Sequence, residues 1–95
     1  MTALDEGWSE LPLARTDLDI NEVDDGLVIY DVVTDRVHYL NLTASVVFVE
    51  CTGENDEAAI AGALKEIFGL QELPTAETKE CLSSLWTQGL LVGGS

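Results

Sequence analysis

The chain has 95 residues, 18 acidic against four basic, a formal charge of −14 and an apolar fraction of 46%. That length makes one small domain, and the apolar content excludes a disordered chain. The anionic surface repels phosphate backbones and anionic lipid, so no nucleic acid and no membrane is expected as partner. The longest apolar run, "SVVFV" with Ala44 before it, is too short to span a bilayer. No basic-then-apolar secretory signal opens the chain, and a cytoplasmic protein is expected.

Residues 1–16, "MTALDEGWSELPLART", carry no sustained period and include Pro12. They read as a mobile or loosely docked arm, which Trp8, Leu11 and Leu13 could tack onto the body or onto another chain. The domain proper is expected over residues 17–95. From Asp17, "DLDINEV" alternates Leu18 and Ile20 with acids, and the Asp-Gly signal of "DDG" then predicts a tight turn. "LVIYDVV" is a β-branched second strand, "TDR" a second short turn, and "VHYLN" a third strand. Two tight turns joining three short strands predict an antiparallel meander, which needs a helical layer on one face to be stable.

That layer follows directly. In "TASVVFVECTG" the set Ala44, Val47, Phe48, Cys51 falls at i, i+3, i+4, i+7, one stripe of a helix, with Thr43 as the expected cap and Gly53 as the end. In "NDEAAIAGALKEIFG" the stripe is Ile60, Ala63, Leu64, Ile67, Phe68. Asp56 and Glu57 suit the positive end of the helix dipole, and Gly69 suits a left-handed cap. "PTAETKECLSSLWTQG" predicts a third helix capped by Thr75, with Thr78, Cys81, Leu82, Leu85 and Trp86 inward and Gly89 closing it. "LLV" returns as a short extended tail. The expected architecture is α+β and winged-helix-like: a three-stranded antiparallel sheet followed by a three-helix bundle, in the order β-β-β-α-α-α.

Catalytic chemistry leaves no trace of its own. His38 is the lone histidine and sits in a strand, and no nucleophile elbow, phosphate-binding glycine loop or zinc-protease motif occurs. Asp24-Asp25 reads as a turn, and Asp56-Glu57 as a helix start. Cys51 and Cys81 stand thirty positions apart without C-x-x-C spacing, so neither a metal site nor a dithiol pair is expected. Two free, largely buried thiols are expected instead of a disulfide. Neither an enzyme nor a bound cofactor is predicted. Asn41-Leu42-Thr43 matches an N-glycosylation acceptor, but without a secretory signal it reads as the joint between sheet and helices, with Asn41 turning the chain and Thr43 starting the helix.

The run "VHYLNLTASVVFVECTGE" resembles the PqqD-like family, the precursor-peptide recognition elements of ribosomally made peptide natural products (RiPP biosynthesis). The resemblance rests on His38-Tyr39-Leu40-Asn41, Thr43-Ala44, Phe48, Gly53, the helix from Asp56 and the closing Gly89-Leu90-Leu91, and it spans residues 17–92. Phe48 and Asp56 stand where family members often carry Trp and Thr. The resemblance implies a non-catalytic, cytoplasmic peptide chaperone that binds a leader peptide as an added strand on the third strand and packs it against the third helix. Applied to this chain, it gives peptide-binding residues Arg36, Val37, His38, Tyr39 and Leu40 on the strand and Lys79, Leu82, Ser83 and Trp86 on the helix. Each has a plainer reading: Tyr39 as a core or rim aromatic, Leu82 and Trp86 as core, Arg36 and Lys79 as solvated charges. The implied partners are a precursor peptide and a tailoring enzyme such as a radical-SAM enzyme, a cyclase or a leader protease, with the domain a monomer or homodimer. Two other classes compete, a winged-helix DNA-binding regulator and a homodimeric scaffold. Against the regulator, "TAETKECLSSLWTQ" holds one Lys against two Glu, the wrong balance for a major groove.

Overall fold

The computed structural model describes residues 11–93. In chain order the elements are β1 (Leu13–Ala14), β2 (Asp19–Val23), β3 (Gly26–Asp31), β4 (Arg36–Asn41), α1 (Leu42–Val49), α2 (Glu57–Phe68), α3 (Thr75–Thr87) and β5 (Leu91–Gly93). The protein is α+β. β2, β3 and β4 form an antiparallel sheet in that spatial order, so β2 and β4 are both edges. A second, two-stranded sheet pairs β1 with β5, antiparallel.

The meander forms where the turn chemistry asks for it. Asp24 and Asp25 make the first hairpin turn, leaving Val23 opposite Gly26. The second turn holds a surprise, because Val32 and Val33, expected in the strand, are in the loop and exposed. Asp31 ends β3 there: its Oδ1 accepts from the Val33 N–H at 3.1 Å and the Thr34 N–H at 3.4 Å. Asp35 completes the reversal at φ 57°. A carboxylate that satisfies turn amides outweighs the strand preference of two valines.

Register sorts the sheet faces. Leu27 stands opposite Leu40 and Ile29 opposite His38, facing the helices, while Val28 opposite Tyr39 and Tyr30 opposite Val37 take the other face. Leu27, Ile29 and Leu40 join Val47, Phe48, Cys51, Ile60, Leu64, Leu85, Leu90 and Leu91 in one core. A fully buried leucine such as Leu85 contributes about 1.5–3 kcal/mol of transfer free energy.

The helices run close to the predicted spans, with different ends. α1 is capped by Asn41, not Thr43: Asn41 Oδ1 accepts from the Ala44 N–H at 2.9 Å, and Thr43 lies inside the helix. α2 begins as expected, with Asp56 accepting from the Ala59 N–H, and ends on left-handed Gly69. Its residue Ile67, expected inward, is exposed, and Ala61 is buried instead. α3 starts from Pro74, with Thr75 already helical, so the predicted Thr75 cap is corrected. Trp86 is likewise exposed where an inward position was expected. Both misplaced side chains sit at the margin of a stripe, where the apolar face of the sequence is wider than the contact the helix makes.

The predicted arm is partly docked. Residues 1–10, including Trp8, lie outside the described residues. Residues 12–15, however, are tied down by Gly53 N–H to Pro12 O, Ala14 N–H to Cys51 O and Arg15 N–H to Leu90 O, all 2.8–3.0 Å. Arg15 bonds Asp31 through both terminal nitrogens, at 2.7 and 3.2 Å, and also Asp17 and the Gly89 carbonyl. That guanidinium holds the Asp31 carboxyl down to about 2 and, by its hydrogen bonds, keeps Asp17 below the usual carboxylate range. One arginine thus joins the chain start, the end of β3 and the end of α3. Among the described residues no helix is long and apolar enough to cross a membrane.

Candidate functional site

A groove lies between the end of β4, with the first turn of α1, and α3. One end is marked by His38, whose Nδ1 is 3.1 Å from Gln88 Oε1. Gln88 also bonds Ser84 Oγ through Nε2, at 2.9 Å. His38 Nε2 is buried with no hydrogen-bond partner among the described residues. The groove, about 450 Å³, is lined on the strand side by Tyr39, Leu40, Asn41, Thr43 and Ala44. At the far end Thr43 and Glu77 also border an apolar pit formed by Leu64, Phe68, Leu70 and Pro74.

The α3 wall differs from the predicted one. It is made by Glu77, Glu80, Cys81, Ser84, Leu85 and Gln88, spaced three and four residues apart along one helix face. Lys79, Leu82, Ser83 and Trp86 do not line the groove: Lys79, Ser83 and Trp86 are exposed, and Leu82 packs half-buried against the core. The predicted set has the right period and the wrong phase, two residues along and so on roughly the opposite side of the helix. Only burial of Leu85 and Thr78 against the core sets that phase.

On the strand, Leu40 is buried in the core and also reaches the groove, while Arg36 is exposed at the strand's start. Val37, 67% exposed, points to the face away from the helices. Tyr39 shares that face and donates from its hydroxyl to the Asp25 carbonyl at 3.3 Å, and the neighbouring Asp25 carboxylate raises its pKa. Asn41 caps α1 at the groove's end, and Thr43 follows it into the lining.

The groove wall is anionic, since Glu77 and Glu80 line it and no Lys or Arg does. Cys81 lies there as a free thiol, its pKa pushed up by burial and by those two glutamates. Cys51, free and buried in the core, is pushed up to about 11 by burial, and its Sγ donates to the Val47 carbonyl. Neither thiol is prepared as a nucleophile. Among the described residues no group of three or more His, Cys, Asp or Glu side chains is placed to hold a metal ion.

The two sheet edges differ in charge. β2 carries Asp19 and Glu22, flanked by Asp17, Asp24 and Asp25, whereas β4, from Arg36 to Asn41, has no acid at all. Charges on an edge strand discourage another strand from pairing with it. The β2 edge is thereby blunted, and among the described residues no strand pairs with the outer edge of β4. Comparison with family models, with curated proteins and with solved structures gave no match.

Proposed function

We propose that this domain is a non-catalytic receptor for the leader region of a ribosomally made precursor peptide. The leader adds to β4 as a further strand and lays alternate side chains into the β4–α3 groove. The domain then delivers the bound precursor to a tailoring enzyme, in the cytoplasm. In this reading the three-stranded sheet and the helices after it make a winged-helix-like, PqqD-like unit. Delivery acts by raising the effective concentration of precursor at the enzyme, with no chemistry of its own.

The observation that carries the proposal is the acid-free β4 edge walled by α3, set against the acidic β2 edge of the same sheet. An edge strand turns alternate N–H and C=O groups outward, and a peptide gains affinity by pairing with them. Specificity comes from side chains that enter the groove beside Leu40, Cys81 and Leu85 and the pit beyond Thr43. The same site speaks against a DNA-binding regulator, because Glu77 and Glu80 lie on the α3 face that borders it.

Titration of the labelled domain with the leader encoded beside its gene tests the proposal. The expected result is a saturable change in the backbone amides of residues 36–41, with protection of Cys81 from alkylation. Unchanged amides at saturating leader would overturn it.

A further inference from the structure

A second groove, of about 290 Å³, lies on the other side of α1 and shares no residue with the first. It is bounded by the β2–β3 turn, α1 and α2. Val23, Leu42, Val49 and Ile67 line it, each exposed, with Val49 at 60% and Ile67 at 57%. Glu22, Asp24 and Glu50 also line it, and no Lys or Arg does.

The sequence of α1 supplies an independent sign. From Leu42 to Val49 the helix holds no charged residue. It buries Val47 and Phe48 in the core and lends Thr43 and Ala44 to the β4–α3 groove. Leu42, Val46 and Val49, at i, i+4 and i+7, form its remaining face and border the second groove. A helix face turned to water is ordinarily polar, and one that is apolar all round ordinarily has every face covered. Four large apolar side chains converging on one exposed groove mark a surface for association.

We infer that this groove docks a segment of a separate protein, with an apolar centre that packs on Val23, Leu42, Val49 and Ile67 and with Lys or Arg flanks that meet Glu22, Asp24 and Glu50. Charge selects this occupant over the chain's own material. A second copy docking through the same face would set three carboxylates from each molecule against their equivalents, because a two-fold interface uses one patch twice. Residues 1–10 carry Asp5, Glu6 and Glu10 and no Lys or Arg, so they meet the rim with the wrong sign. The inference does not depend on the leader reading. If that reading holds, the docked segment belongs to the tailoring enzyme, and the two grooves let one domain hold precursor and enzyme together.

The test uses the full chain, isotopically labelled, and a synthetic amphipathic peptide with leucines at i, i+3, i+4 and i+7 and lysines at both ends. A twin peptide carries glutamates in place of the lysines. Saturable shifts centred on Val23, Leu42, Val49 and Ile67 are expected from the lysine peptide, weakening as salt screens the rim, with none from the twin. Val49→Ser with Ile67→Ser, both at exposed positions, should weaken binding about tenfold or more while leaving the unfolding midpoint in place. Glu22→Gln with Asp24→Asn should reduce the salt dependence. Equal binding of the two peptides, or shifts confined to the β4–α3 groove, would overturn the inference. So would peptide-free shifts at Val49 and Ile67 that grow with protein concentration, which would mark a second copy. Shifts at those residues on deleting residues 1–10 would overturn it in favour of the chain's own start.

Discussion

Gly26→Ala should open the β3–β4 ladder at the end that builds the groove. A Cβ at this position would lie 1.8 Å from the Leu40 carbonyl oxygen, 3.0 Å from the Leu40 carbonyl carbon and 3.1 Å from the Asn41 carbonyl carbon. All three obstacles are backbone, so no rotamer change relieves them. Moving the oxygen from 1.8 Å to the 3.0 Å that Cβ contacts tolerate opens the strands by about 1.2 Å, enough to break a ladder hydrogen bond there. Overpacking costs about 1–3 kcal/mol and the lost bond about 1 kcal/mol, together roughly 2–4 kcal/mol. For a domain this small, each kcal/mol moves the thermal midpoint by about 4–8 °C, giving a fall on the order of 10–30 °C. Circular dichroism during urea and thermal unfolding measures it. Gly62→Ala is the internal control: its Cβ meets nothing within 4 Å, and it lies in α2. It should gain about 0.5–1 kcal/mol. A Gly26→Ala protein within about 0.5 kcal/mol of wild type, or a parallel loss in both variants, would refute the packing argument.

Asn41→Ala should cost about 1 kcal/mol by removing the α1 cap, and Thr43→Ala, whose hydroxyl makes no such bond, should cost less; the reverse order in urea midpoints would restore Thr43 as the cap. Arg15→Met should destabilise the protein at neutral pH by leaving the buried Asp31 carboxylate without its cation. Because pairing lowers the folded pKa of Asp31 to about 2, the unfolded state binds the extra proton below about pH 4. The stability due to the pair is therefore complete above that pH and lost as pH falls toward 2. The wild-type advantage over Arg15→Met in urea midpoint should shrink across that window, and an advantage that stays constant would refute the pairing. At pH 8 a thiol reagent should label Cys81, half-buried at the groove, before Cys51, buried in the core; mass-spectrometric mapping that finds Cys51 first would refute the burial order.

Local chemistry made most of the architecture legible. The Asp-Gly turn placed the first hairpin, and the helical spacings of Val47, Phe48, Cys51, Ile60 and Leu64 found core residues that the structure buries. The strand half of the candidate groove was readable only in part: Tyr39 and Leu40 line it, whereas Arg36, Val37 and His38 do not. The helical half was not readable. Lys79, Leu82, Ser83 and Trp86 share a helix face in the sequence as convincingly as Glu80, Cys81, Ser84 and Leu85 do.

What the sequence determined by itself, then, is what depends on neighbours in the chain: which segments are strands or helices, near which residues the chain turns, and how acidic the surface is. The tertiary structure alone decided the rest. Docking set the rotation of α3 and turned glutamates toward β4, and Arg15 bridged 16 positions to Asp31 and 74 to Gly89, tying down a segment with no period of its own. The apolar face of α1 was also left uncovered. A helix can present any face its sequence makes apolar, and only the neighbours it packs against select which one is buried.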